Sequence, residues 1–226
     1  MGEPRGVLLP AYVLADESGS MAPYRQDLTG GLVSLCEGLR AEPMVSAKLR
    51  LTVLGFSDDV QVRLEMADMR SATGLPEVAI RGLTDYQAVF DDLLTRIPHD
   101  VRRLRAEGYK VHRPVVFFLS DGQPTDGGAW RLPHGMLTDK AQTPAAPNVV
   151  ACGIGDAQAS TMVEVATRKE FAFVAKSGTD VGQAVAEFFH ALTASLVASG
   201  QSLNAGSPQL VVNKPDQFTM AIDEVG

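Results

Sequence analysis

The sequence predicts an α/β fold with a mostly parallel sheet, and three observations carry that expectation. Short apolar runs without alternation recur at residues 11–15, 115–119 and 149–154, the pattern of strands buried on both faces. Stretches with apolar residues at helical spacing separate them. The first two runs stop abruptly in polar loops, as strands do where a sheet delivers ligand-binding loops. Strands alternating with helices imply a sheet covered on both faces. About six strands are expected, with one antiparallel strand at an edge.

Taken in order, residues 11–15 form the first strand, which ends in Asp16-Glu17-Ser18-Gly19-Ser20-Met21. A helix follows, because Leu28, Leu32, Leu35, Cys36 and Leu39 share one face; its last turn runs into Pro43. Leu49, Leu51, Val53 and Phe56 mark the next strand. Ser57-Asp58-Asp59 turns it into a strictly alternating partner, Val60, Val62, Leu64 and Met66, read as the sheet edge. Residues 68–83 are loop-like. Thr84 is placed to cap a helix striped by Val89, Phe90, Leu93, Leu94 and Ile97, which Pro98 is expected to kink or end. After Pro114 comes the strongest buried strand, ending in Ser120-Asp121-Gly122-Gln123-Pro124-Thr125-Asp126. A long loop with a short helix fills residues 127–147. A strand at 149–154, a helix around Met162, a strand at 171–175 and a closing helix striped by Val185, Phe188, Leu192 and Leu196 complete the pattern. Beyond about Ser199 the chain is rich in Ser, Asn, Gly and Pro; residues 209–212 and 218–222 are short strands or partner-docking segments.

Composition excludes several classes. The 226 residues are 45 % hydrophobic and 21 % charged, so collagen-like, coiled-coil and disordered chains are ruled out. A net charge of −7 disfavours phosphate backbones, and no nucleic-acid partner is expected. Two cysteines, Cys36 and Cys152, are too few for a disulfide framework and lack paired metal spacing. No membrane partner is expected either: residues 188–213 lack Asp, Glu, Lys and Arg, but polar residues interrupt them. A cytoplasmic location follows as the expectation. Arg102, Arg103, Arg105, Lys110 and Arg113 form a basic run expected at the sheet end opposite the polar loops.

The chemistry concentrates in three loops. Asp16 and Asp121 supply two carboxylates, and Ser18, Ser20 and Thr84 three hydroxyls, all hard oxygen donors. That set suits Mg²⁺, with Mn²⁺ or Ca²⁺ as alternatives. In Asp16-x-Ser18-x-Ser20 alternate residues point the same way, and Gly19 lets the backbone bend between the serines. Two Asp side chains about neutralise a divalent ion, which leaves field enough to take an Asp or Glu from a protein partner. An Mg²⁺-dependent phosphohydrolase using Asp16 as nucleophile is the enzymatic alternative. Ser18 stands where such an enzyme carries its acid-base Asp, so the chain is not expected to be an enzyme. Glu17, Tyr86, Gln123 and Asp126 are candidates for the partner-binding rim by position; Trp130, in the long loop after Asp121, is either a core anchor or an exposed aromatic contact on that rim.

Asp-x-Ser-x-Ser after the first strand, a central Thr, and Asp-Gly after a later apolar strand resemble a von Willebrand factor A (vWA) domain and its metal-ion-dependent adhesion site, MIDAS. Residues 15–21, 119–126 and 149–156 are similar to the TerY-type proteins of bacterial tellurite-resistance and stress operons. The resemblance implies direct metal contacts from Ser18 and Ser20, and contacts direct or through water from Asp16, Thr84 and Asp121. It also implies work beside a protein kinase and a PP2C-like phosphatase. One departure is Gly82-Leu83-Thr84, where the family often has Gly-Gly-Thr. The likeness runs from Pro10 to Leu203, so residues 1–203 are assigned to the domain and 204–226 to a C-terminal tail or extension. A vWA scaffold with a vestigial metal site is the remaining alternative.

Overall fold

The computed structural model describes residues 4–206 and 208–225. Its elements are β1 (Val7–Asp16), α1 (Arg25–Arg40), α2 (Pro43–Ser46), β2 (Leu49–Phe56), β3 (Val60–Ala67), α3 (Tyr86–Ala106), β4 (Lys110–Val111) and β5 (Val115–Ser120). They continue with α4 (Arg131–Thr138), β6 (Asn148–Gly153), α5 (Ala159–Val165), β7 (Ala172–Ala175), α6 (Val181–Asn204), β8 (Phe218–Met220) and α7 (Ala221–Glu224). One sheet takes the order β3-β2-β1-β5-β6-β7-β8, with β4 paired to the start of β1. The central pairings are parallel; β2 with β3 and β7 with β8 are antiparallel.

The sheet therefore has eight strands among the described residues rather than about six, and two antiparallel edges rather than one. The two additional strands are short. β4 has two residues and β8 three, so neither shows a periodicity, and each exists only through its pairing. Residues 204–226, expected as a tail, supply β8 and α7 against β7. Residues 209–213 form no strand. They lie along α6, where the Ser199 and Ser195 hydroxyls accept from the amides of Val211 and Asn213.

β1 and β5 are the centre because their residues can be buried on both faces. Ala11 to Leu14, and Val115 to Leu119, are almost wholly inaccessible. Tyr12 is the polar exception, and its hydroxyl donates to Asp100 on α3 at 2.9 Å. Pro98 does not interrupt α3. The continuous buried face of Val89, Phe90, Leu93, Ile97, Val101 and Leu104 holds the helix through the one missing hydrogen bond. Its cap is Asp85 rather than Thr84: the Asp85 carboxylate accepts from the Ala88 amide at 3.0 Å. Arg102, Arg103 and Arg105 lie in its last turns, at the opposite end from Tyr86.

By length and composition α6 is long and apolar enough to cross a membrane. Here its apolar stripe of Phe188, Phe189, Leu192 and Leu196 is buried in the domain. Cys36 and Cys152 are free and buried, and burial pushes the Cys36 thiol up to about 11.

Candidate functional site

Parallel pairing of β1 with β5 brings Ala15 opposite Leu119, so Asp16 and Ser120 emerge side by side at the C-terminal ends of the two central strands. Asp16 is fully buried. One carboxylate oxygen accepts from the Ser18 amide at 2.9 Å, the other from the Ser120 hydroxyl at 2.6 Å. The Ser18 and Ser20 hydroxyls share a 3.0 Å hydrogen bond, and Ser20 donates to Asp121 Oδ1 at 2.9 Å. One chain of contacts thus joins Asp16, Ser18, Ser20 and Asp121.

Thr84 arrives from the third loop. Its carbonyl accepts from the amide and hydroxyl of Thr125 at 2.9 and 3.0 Å, and the Gly19 amide donates to the Gly82 carbonyl at 2.9 Å. Its own hydroxyl lies 3.6 Å from the place where a Cβ on Gly122 would stand, beside Asp121. Five oxygens from three loops therefore converge, with Ser20 on the solvent side. Among the described residues no group of three His, Cys, Asp or Glu could hold a metal, so a cation here would draw on other oxygens, of which these hydroxyls are the nearest.

The electrostatics suit such a site. Burial pushes the Asp16 carboxyl up to about 6, the hydroxyls of Ser120 and Ser18 pull it back, and Asp121 adds repulsion. Asp121 is also raised, chiefly by burial, with Asp156 contributing. Two carboxylates are held without a cationic partner, a cost that a divalent cation would offset. The donor set fits that group: hard oxygens, two formal charges and one open side.

The rim expectation needs correction. Glu17, Tyr86 and Trp130 are off the surface. Glu17 points into the domain, where two arginines take its carboxylate. Tyr86 packs edge-on to Phe56, Phe118 and Trp130, and its hydroxyl supports the turn after Asp121 by donating to the Gly122 carbonyl at 3.2 Å. Trp130 is a core anchor against Phe90 and His134, although its indole N–H has no partner. Gln123 and Asp126 are half-buried and structurally engaged. Gln123 accepts from the Thr161 hydroxyl at 2.9 Å, and Asp126 from the Gln87 amide at 2.9 Å. Leu83, beside the site, is an exposed apolar side chain, 63 % accessible, whereas Thr84 next to it is buried. Sequence reading missed Ser120, which fixes Asp16. Its signal was position: it ends the strand just before Asp121.

Neither a protein-family model nor a curated protein sequence matches the chain. Solved structures do. Proximal thread matrix protein 1 from the mussel byssus superposes with a TM-score of 0.59 at 16 % identity, over 86 % of this chain and 49 % of that one. The pilus adhesin SpaC from Lactobacillus rhamnosus GG gives 0.66 at 12 % identity, over 86 % of this chain and 30 % of that one. A von Willebrand factor type A protein from Catenulispora acidiphila gives 0.51 at 12 % identity, over 84 % and 43 %. The fold is that of a vWA domain. This chain spans less than half the length of each of these vWA-fold proteins. One structure of the mussel protein has zinc in its MIDAS motif. Within this vWA fold, the Asp16, Thr84 and Asp121 loops all lie beyond the carboxyl ends of the central strands, the usual ligand position in open α/β sheets.

Proposed function

We propose that this vWA domain is a divalent-metal-dependent protein-interaction module in which Asp16, Ser18, Ser20, Thr84 and Asp121 hold the ion. The hydrogen-bonded chain from Asp16 through Ser18 and Ser20 to Asp121, with the Thr84 hydroxyl beside Gly122, carries the reading. The ion supplies a coordination position for an Asp or Glu of a partner protein. The chain supplies everything else: Ser120 and the Ser18 amide orient Asp16, Ser20 orients Asp121, and the links to Gly19 and Thr125 hold the threonine loop. The exposed Leu83 and the half-buried Gln123 and Asp126 are the proposed partner contacts. Zinc in the MIDAS of the mussel neighbour supports a divalent ion, with Mg²⁺ the intracellular choice for an all-oxygen set.

The finer setting is a cytoplasmic bacterial stress-response complex of the tellurite-resistance type, with a protein kinase and a PP2C-like phosphatase as partners. The motifs around Asp16, Asp121 and Gly153 support it by resemblance. Turnover is disfavoured because Ser18 occupies the position of the acid-base Asp. Calorimetry with Mg²⁺ and Mn²⁺ tests the proposal. Wild type is expected to bind, and Asp121→Ala to lose binding with its circular dichroism unchanged. A wild-type protein that binds neither ion overturns it and leaves a vestigial site.

A further inference from the structure

A buried ion cluster stands directly behind the oxygen site. Glu17 is wholly inaccessible; its Oε1 accepts from Arg63 Nε at 2.9 Å, and its Oε2 from Arg63 Nη2 at 2.6 Å and Arg81 Nη2 at 3.2 Å. The Ala79 amide reaches Oε1 at 3.4 Å, and the Arg81 amide donates to the Glu17 carbonyl at 2.7 Å. Arg81 Nη2 also reaches the Gly55 carbonyl at 3.1 Å, and its other terminal nitrogen pairs with the Asp59 carboxylate. The space is cut to fit: a Cβ on Gly55 would overlap the Glu17 carboxylate, and one on Gly82 would overlap Asp58. Asp58 in turn accepts from the Leu83 amide at 2.8 Å, and Ser57 donates to the Leu83 carbonyl at 2.8 Å.

These contacts matter because residues 68–85 run from β3 to α3 without a helix or strand. A connector of that length has no ladder to hold it, so its path is set by what it touches. Its last third is pinned to Glu17 and to the β2–β3 turn, and it carries Thr84 next to its end. We infer that Glu17, Arg63 and Arg81 are positioning residues for the metal site. They fix the path of the Thr84 loop through these contacts, not through their charge. This rests on the metal-binding reading, and it makes the edge hairpin a structural part of the site.

The test is Mn²⁺ affinity by electron paramagnetic resonance, paired with amide exchange of residues 79–84 in EDTA. Glu17→Gln, and Arg63→Lys in case the first variant does not fold, are expected to weaken Mn²⁺ at least about tenfold, as loss of groups that orient ligands does. Both should speed exchange at residues 79–84 while β5 and β6 stay protected. The charge-balanced Glu17→Gln/Arg63→Gln pair is expected to remain weak; wild-type affinity in that pair reduces the effect to charge and overturns positioning. Unchanged affinity in folded Glu17→Gln or Arg63→Lys also overturns it. If wild type binds no Mn²⁺ the metal reading fails, and exchange in EDTA still decides the anchor: unchanged protection at residues 79–84 refutes it.

Discussion

Asp16 and Glu17 are adjacent carboxylates at the end of one strand, and they have opposite fates. Asp16 turns toward β5, where Ser120 and the Ser18 amide satisfy its oxygens without neutralising its charge. Glu17 turns toward β2 and β3, where Arg63 and Arg81 pair with it. Both are fully buried, so exposure does not separate them. The difference lies in what the neighbouring strands offer: hydroxyls on one side, guanidinium groups on the other. A carboxylate buried among hydroxyls keeps its demand for a cation, whereas one buried among arginines is finished as structure.

That contrast breaks if the two positions respond alike to loss of charge. The largest effect is expected at Glu17. Glu17→Gln leaves two arginines without their shared partner and should cost about 3–5 kcal/mol in urea denaturation, in the presence of EDTA. Asp16→Asn should act with the opposite sign. Asp16 titrates at about 6 in the fold, above its ordinary 3.8, so the folded state holds a proton that the unfolded state releases. The stability this carries is complete below about pH 4 and lost as pH rises through 6. A shift of about two units corresponds to about 3 kcal/mol, so Asp16→Asn in EDTA at pH 7.5 should be stabilised by up to that amount. Mn²⁺ should then raise the melting temperature of wild type but not of Asp16→Asn.

A smaller effect sharpens the boundary between site and core. Trp130→Phe removes an indole N–H that has no partner. The lost area and the lost desolvation penalty oppose each other, so stability should shift by no more than about 1 kcal/mol. Mn²⁺ affinity should be unchanged, as measured by the same resonance titration. A drop there would return Trp130 to the neighbourhood of the ion.

The legible parts of this molecule were those with a local signature. Unbroken apolar runs revealed β1, β5 and β6, and the stripe of Leu28, Leu32, Leu35 and Leu39 revealed α1. The strict alternation of Val60, Val62 and Leu64 marked the edge strand β3. The illegible parts had none. β4 is defined by pairing with distant residues, β8 was open between a short strand and a docking segment until its pairing with β7, and Pro98 sits in a helix whose buried face outweighs it. Position beside the motif put Glu17 and Tyr86 on the rim, and left Trp130 open between rim and core. Their burial depends on residues far along the chain, such as Arg63 and Arg81, 46 and 64 positions from Glu17.

The sequence by itself determined the donor types and their order: two carboxylates, three hydroxyls and the apolar strands that present them. Those are local properties, written in residue identity and period. Which of two neighbouring carboxylates stays uncompensated was decided only by the tertiary structure. The reason is that charge compensation is made across the sheet, by β3 and by the connector after it, and strand order brings those groups to Glu17 and away from Asp16.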